Sequence, residues 1–145
     1  MGRMFDFDGS AGHRLSGRLD APETTPRGWA IFAHCFTCGK DSLAAARIAR
    51  ALARAGIGVL RFDFAGIGTS GGLLADGGFA ADVDDLVTAA GAMTAAGMAP
   101  SLLVGHSLGG AAALSATTML PEVRAVATIG APSDVSHLLT QLDPA

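Results

Sequence analysis

Apolar residues fall along the chain in short runs separated by stretches of helical spacing. Residues 4–7 and 15–19 predict strands, parted by the turn residues Asp8-Gly9-Ser10-Ala11-Gly12. Residues 20–28, with two prolines, predict a loop. Trp29-Ala30-Ile31-Phe32-Ala33 is a continuous apolar run, the pattern of a strand covered on both faces. Residues 42–55 predict a helix with Ala44, Ile48, Ala51, Leu52 and Ala55 on one face and Arg47, Arg50 and Arg54 opposite. Asp41 is the expected N-cap and Gly56 the stop. A strand at 59–62 follows, then a Gly-rich loop at 65–78 and a helix at 79–90 with Asp82 and Asp85 on its wet face. A strand at 101–104, a small-residue helix at 109–120 and a strand at 125–129 complete the pattern. Strands alternating with helices predict an α/β fold: a mostly parallel sheet of about six strands with helices on both faces. Residues 1–145 read as one domain, without internal repeat or low-complexity linker.

Composition narrows the class. The 145 residues are 50% hydrophobic and 16% charged, and mean hydropathy is +0.41, which excludes a disordered chain. A net charge of −3 offers no basic surplus for a phosphate backbone, so no nucleic-acid partner is expected. Alanine (29 residues) and glycine (20) make up a third of the chain, which favours close packing and tight turns. Residues 1–8 carry Arg3, Asp6 and Asp8 and do not read as a secretory leader. Two cysteines are no disulfide framework, and a cytoplasmic location is expected. Residues 86–121 contain no Asp, Glu, Lys or Arg, but glycines and Pro100 interrupt them. They predict a buried helix–strand–helix and no membrane association.

The sharpest chemical signal is Gly105-His106-Ser107-Leu108-Gly109, a G-x-S-x-G between a buried strand and a helix. A serine on so tight a strand-to-helix turn is pushed out at the C-terminal edge of the sheet. The residues two before and two after must be small, because backbone passes over them. The N–H of Leu108, at the helix start, is a candidate oxyanion donor. The loop His34-Cys35-Phe36-Thr37-Cys38-Gly39-Lys40-Asp41 borders the same crevice and can supply a second donor. Two other motifs compete. Gly66-Ile67-Gly68-Thr69-Ser70-Gly71 is a literal G-x-G-x-x-G, but no helix is expected to begin there, as a dinucleotide site requires. Cys35-Phe36-Thr37-Cys38 is a C-x-x-C; two ordinary reduced thiols are expected, with thiol–disulfide chemistry as an alternative. Zinc held by Cys35, Cys38, His34 and His106 lacks a strong spacing signature, so neither metal nor cofactor is expected.

Three motifs in order give the chain its family likeness: Phe32-Ala33-His34-Cys35-Phe36, Asp63-Phe64-Ala65-Gly66-Ile67-Gly68-Thr69-Ser70, and the Ser107 turn. They resemble the α/β-hydrolase superfamily's strand ending in His-Gly-x, its D-x-x-G-x-G-x-S loop and its nucleophile elbow. Cys35 stands where glycine is usual. The wording around the cysteines further resembles a bacterial subgroup often fused to an osmotically inducible protein C-like domain. The resemblance implies Ser107 as nucleophile, the Phe36 and Leu108 N–H groups as oxyanion hole, and His34 as a structural brace. Asp63, Gly66 and Gly68 would shape a neighbouring turn. It implies a serine hydrolase acting on a small ester, thioester or amide through an acyl-enzyme.

A serine nucleophile needs a base, and the base an orienting acid. After Ser107 the acids are Glu122, Asp134 and Asp143, and the one histidine is His137. Asp134 and His137 are the triad candidates, although a base so close in sequence to its acid would reach Ser107 with difficulty. The Ser133-Asp134 signal reads more readily as the helix N-cap of a cap or crossover segment. Only 16 residues follow Ile129, too few for two further strands with their crossovers. The expectation is therefore a hydrolase-like domain lacking its C-terminal strands, with an unpaired sheet edge open to association. A non-catalytic module completed by a partner chain or domain is the alternative.

Overall fold

A computed structural model describes residues 2–35, 38–72 and 78–136. Its centre is a six-stranded sheet. β1 (Gly2–Met4), β4 (Gly17–Asp20), β6 (Ile57–Phe62), β5 (Gly28–Ala33), β7 (Leu102–His106) and β8 (Ala125–Ile129) lie side by side in that order. β1 and β4 are antiparallel to their neighbours; β6, β5, β7 and β8 are parallel to one another. β2 (Phe7–Asp8) and β3 (Arg14–Leu15) form a separate small hairpin. The predicted strand at 4–7 is thus broken in two. Phe5 N–H donates to the Gly17 carbonyl (2.9 Å), and the Asp6 carboxylate accepts from Gly17 N–H (3.0 Å), which turns the chain out of the sheet.

Among the described residues three α-helices, α1 (Leu43–Arg54), α2 (Phe79–Ala95) and α3 (Leu108–Ala116), cover the two faces. Alternation along the strands decides which side chain meets which helix. Ala30, Phe32, Val59 and Val104 pack with Ala45 and Ala49 of α1. Leu19, Ile31, Leu60, Phe62 and Leu103 point the other way, into a larger cluster with Val83, Leu86, Ala89 and Met93 of α2 and Ala112, Ala113 and Ala116 of α3.

Helix details depart from the periodicity in instructive ways. In α1 the buried residues are Ala45, Ala46 and Ala49, while Ala44, Ala51 and Ala55 are exposed, so the apolar stripe is rotated by about one residue. Alanines on every side of a helix leave little contrast for periodicity to read. Ser42, not Asp41, caps α1: its Oγ accepts from Ala45 N–H (3.2 Å), because Asp41 is engaged with Lys40. Gly56 (φ 91°) ends the helix as expected. α2 runs through Gly91 to Ala95, and the small-residue helix tightens into a 3-10 turn at Thr117–Met119. There Thr117 and Thr118 hydroxyls bond the Leu114 and Ser115 carbonyls.

Asp85 is also not on a wet face. It is buried and accepts from Ser10 N–H (3.1 Å), Ser10 Oγ (2.9 Å) and Ala65 N–H (3.4 Å), tying α2 to two loops. Asp82, one turn earlier, is half-buried; desolvation, aided by the Asp85 charge, pushes its carboxyl up to about 7. No helix among the described residues is long and apolar enough to cross a membrane. The charge-free stretch became the end of α2, β7 and α3, as its composition required.

Candidate active site

The C-terminal ends of β5, β6 and β7 lie together at one edge of the sheet, and the three motif loops leave from them. Ser107 sits between the last residue of β7 and the first of α3. Its φ is 53° and ψ −121°, and it is the one non-glycine among the described residues with positive φ. Such a conformation costs about 1–3 kcal/mol and persists only where the surroundings impose it. Here they do. Ser107 N–H donates to the Ile129 carbonyl at the end of β8 (2.8 Å), and the Ser107 carbonyl accepts from Gly110 N–H (2.9 Å).

The flanking glycines are sites of backbone crossing. A Cβ on Gly105 would stand 2.5 Å from the Gly109 carbonyl oxygen and the Gly110 nitrogen. A Cβ on Gly109 would strike the carbonyls of Ala33 and His34. Only glycine lets α3 begin this close to the end of β5. Leu108 is the first residue of α3, so its N–H has no partner within the helix and lies beside the Ser107 side chain's origin. Phe36 and His137, the other predicted participants, lie outside the described residues. Asp134 accepts from Ser136 N–H (3.0 Å) and from Ser136 Oγ (2.5 Å), the capping arrangement expected of it.

The loop after β5 is braced from below. His34 is buried, its ring edge-on to Phe64 with centroids 4.8 Å apart. Its Nε2 accepts from Phe64 N–H (3.2 Å), which places the ring proton on Nδ1, facing the Cys35 carbonyl. Desolvation lowers its pKa, so the imidazole is neutral and both nitrogens are occupied. It acts as the brace the resemblance implies.

Asp63, at the exit of β6, joins two of the motif loops. Its buried carboxylate accepts from Lys40 N–H (2.7 Å), Lys40 Nζ (3.1 Å) and Thr69 N–H (3.1 Å). Gly68 (φ 55°) has no room for a side chain, because a Cβ there would press on that carboxylate. Gly66 N–H bonds the Gly71 carbonyl, closing a turn, and α2 begins only at Phe79. The glycine motif therefore shapes a loop around Asp63 and presents no helix N-terminus to a dinucleotide. Lys40 is buried too. Desolvation alone would lower its pKa, but the bonds it donates to Asp41 (2.7 Å) and Asp63 outweigh this and raise it; Lys40 in turn holds Asp41 below its ordinary value. Beneath them Arg61 Nε donates to Asp20 (2.7 Å) and Arg61 NH1 to the Lys40 carbonyl (2.8 Å). Sequence reasoning missed this network. Its one visible signal was Arg61, a charge inside an apolar strand.

The cysteines also differ from expectation. Cys35 and Cys38 are joined as a disulfide, with Cα atoms 5.3 Å apart, instead of standing as two reduced thiols. The turn between them is closed by Cys38 N–H to the Cys35 carbonyl (3.1 Å), which puts both side chains on one side and within bonding reach.

A mixed sheet of this order, with a strained serine between a parallel strand and a small-residue helix, defines an α/β-hydrolase. The family profile described as serine aminopeptidase, S33 matches residues 24–142, and the chain belongs to that family. No curated protein is significantly similar to it. Among solved structures, the esterase domain of a Rhodothermus marinus protein is 45% identical, covers 96% of this chain and superposes with a TM-score of 0.77. A serine hydrolase without a lid from Xanthomonas campestris is 28% identical over 91% of the chain, with a TM-score of 0.80. An α/β-hydrolase from Penicillium is 21% identical over 98% of the chain with a TM-score of 0.83, a likeness of fold. The chain spans 54%, 62% and 52% of the lengths of these three proteins.

Proposed function

We propose that this chain carries the nucleophile of a serine esterase-type hydrolase. Ser107 Oγ would attack the carbonyl carbon of a small ester, thioester or amide. The alcohol, thiol or amine then leaves with a proton, and water hydrolyses the acyl-Ser107 ester to the acid. The Leu108 and Phe36 N–H groups would hold the oxyanion, a contribution of about 3–4 kcal/mol per donor in comparable sites. The observation that carries this reading is the φ of 53° at Ser107, imposed by backbone crossings at Gly105 and Gly109. A chain with no chemical use for the serine could relieve that strain with glycine. Similarity to the Rhodothermus esterase domain supports the reaction class. The likeness of the cysteine loop to the osmotically inducible protein C fusion subgroup is part of the same proposal.

Of the triad candidates, His137 is the base this chain offers and Asp134 its orienting acid; both Ser136 bonds fall on Asp134 Oδ1, and a carboxylate can accept further bonds. The test is fluorophosphonate labelling of folded chain. Stoichiometric labelling that Ser107→Ala abolishes and His137→Ala slows by about 10²-fold or more supports the reading. An unlabelled, folded chain would sink it and favour a non-catalytic module instead.

A further inference from the structure

The fold brings a third metal-binding side chain to the cysteine pair. The ligand atoms of Cys35, Cys38 and His106 all lie within 4.8 Å of one another. His106 ends β7 and is half-buried; its imidazole makes no hydrogen bond to any described residue. A ring nitrogen with no hydrogen-bond partner among the described residues, facing two sulfurs, is an open ligand position. We propose that, once the disulfide is reduced, Cys35 Sγ, Cys38 Sγ and His106 bind one thiophilic divalent ion such as Zn²⁺, and that disulfide formation expels it.

The chemistry fits the donor set. Two thiolates and a neutral imidazole are ligands of zinc, at about 2.3 Å for sulfur and about 2.0 Å for nitrogen, and a tetrahedral ion spreads them by about 3.5–4 Å. The three atoms lie within 4.8 Å of one another, so binding requires the sulfurs to part from their bond and the imidazole to draw in by about 1 Å or less. The C-x-x-C turn provides the remaining geometry: the Cys38 N–H to Cys35 carbonyl bond aims both side chains to one side, and Gly39 (φ 88°) carries the chain away. Lys40, the nearest cation in sequence, is held by Asp41 and Asp63 and does not compete. His34 is excluded as a fourth ligand, because both of its nitrogens are occupied. Three protein ligands leave one position for water or another small donor.

The redox step balances. A dithiol reductant supplies two electrons and two protons; the Cys35–Cys38 bond breaks, two thiols form, and the reductant becomes a disulfide. Binding of the ion then releases the two thiol protons to solvent. A small-molecule disulfide reverses the sequence and frees the ion.

Cobalt tests this without reference to hydrolysis. The chain, reduced and stripped of metal, is titrated anaerobically with Co²⁺. The expected result is a thiolate-to-cobalt charge-transfer band with intense tetrahedral d–d bands, saturating at one equivalent and displaced by Zn²⁺. The same titration of the disulfide form, which needs no substitution, should give no bands. His106→Ala should weaken Co²⁺ binding by at least about 10-fold while urea unfolding remains cooperative. Cys38→Ser should remove the charge-transfer band's saturation at one equivalent. Absence of the bands in reduced chain, equal binding by the disulfide form, or unchanged affinity in His106→Ala would each overturn the proposal.

Discussion

Replacing Gly109 with alanine adds one methyl group where α3 crosses the end of β5. The new Cβ would stand 2.7 Å from the Ala33 carbonyl carbon and nearer still to the Ala33 and His34 oxygens, whereas ordinary contact begins at 3.4 Å. The helix start and the β5 exit must therefore separate by about 0.7 Å or more, and with backbone on both sides no side chain can rotate away. Overpacking of this kind costs about 1–3 kcal/mol, and the rigid partners put Gly109→Ala at the upper end. The same displacement moves Ser107 and the Leu108 N–H relative to the loop that bears Phe36. A misplacement approaching 1 Å is worth about 10²-fold in rate, so fluorophosphonate labelling should slow by about 10- to 100-fold in protein that is still folded. Urea unfolding supplies the first number and labelling kinetics at low denaturant the second. Gly91→Ala is the control: it lies within α2, nothing stands within 4 Å of its Cβ, and stability should rise by about 0.5–1 kcal/mol with labelling unchanged. Gly109→Ala with wild-type stability, within about 0.5 kcal/mol, and an unchanged labelling rate would refute the crossing argument.

Two further outcomes follow from the buried charges. Asp63→Ala strips Lys40 of one of its two carboxylates and Thr69 N–H of its acceptor; it should cost about 2–4 kcal/mol in urea unfolding. In a double-mutant cycle Lys40→Met should recover part of that loss, and a coupling below about 0.5 kcal/mol would show that the pair is not a unit. Asp82 has a folded-state pKa of about 7 against 3.8, so its ionised form opposes folding. Stability should therefore fall as pH rises from about 4 to about 7 and then level. Asp82→Asn should flatten that slope and gain about 1–3 kcal/mol above pH 7, as read from urea midpoints across the range.

The sheet and the serine corner were legible because their signals are local. An unbroken run such as residues 29–33, too short for a helix and followed by turn residues, fits a strand buried on both faces, and G-x-S-x-G needs a strand before and a helix after. What escaped notice depends on residues far apart in sequence. Asp85 looked solvated from its helical neighbours, yet its partners are Ser10 and Ala65. Lys40, Asp20 and the pair Arg61 and Asp63 at the end of β6 come from three separate segments, and apart from the charge of Arg61 inside an apolar strand nothing within them announces the others. The sequence could group Cys35, Cys38, His34 and His106, but only the β5–β7 pairing separates His106, beside the two sulfurs, from His34, which is turned to Phe64. In α1 the error was one of contrast, since alanine serves buried and exposed positions alike.

The corner at Ser107 also sets when the serine can exist as a reactive group during synthesis. Its backbone angle is imposed by strands that enter from both directions of the chain: β5 beneath Gly109, and the Ile129 carbonyl that receives Ser107 N–H. Until the ribosome has released residues well past Ser107, the hydrogen bond that closes the turn has no acceptor. The strained angle then relaxes to an ordinary one, at a gain of about 1–3 kcal/mol. A nascent chain thus carries a common serine, and amide exchange at Ser107 in the mature chain should proceed only by openings that also release β8.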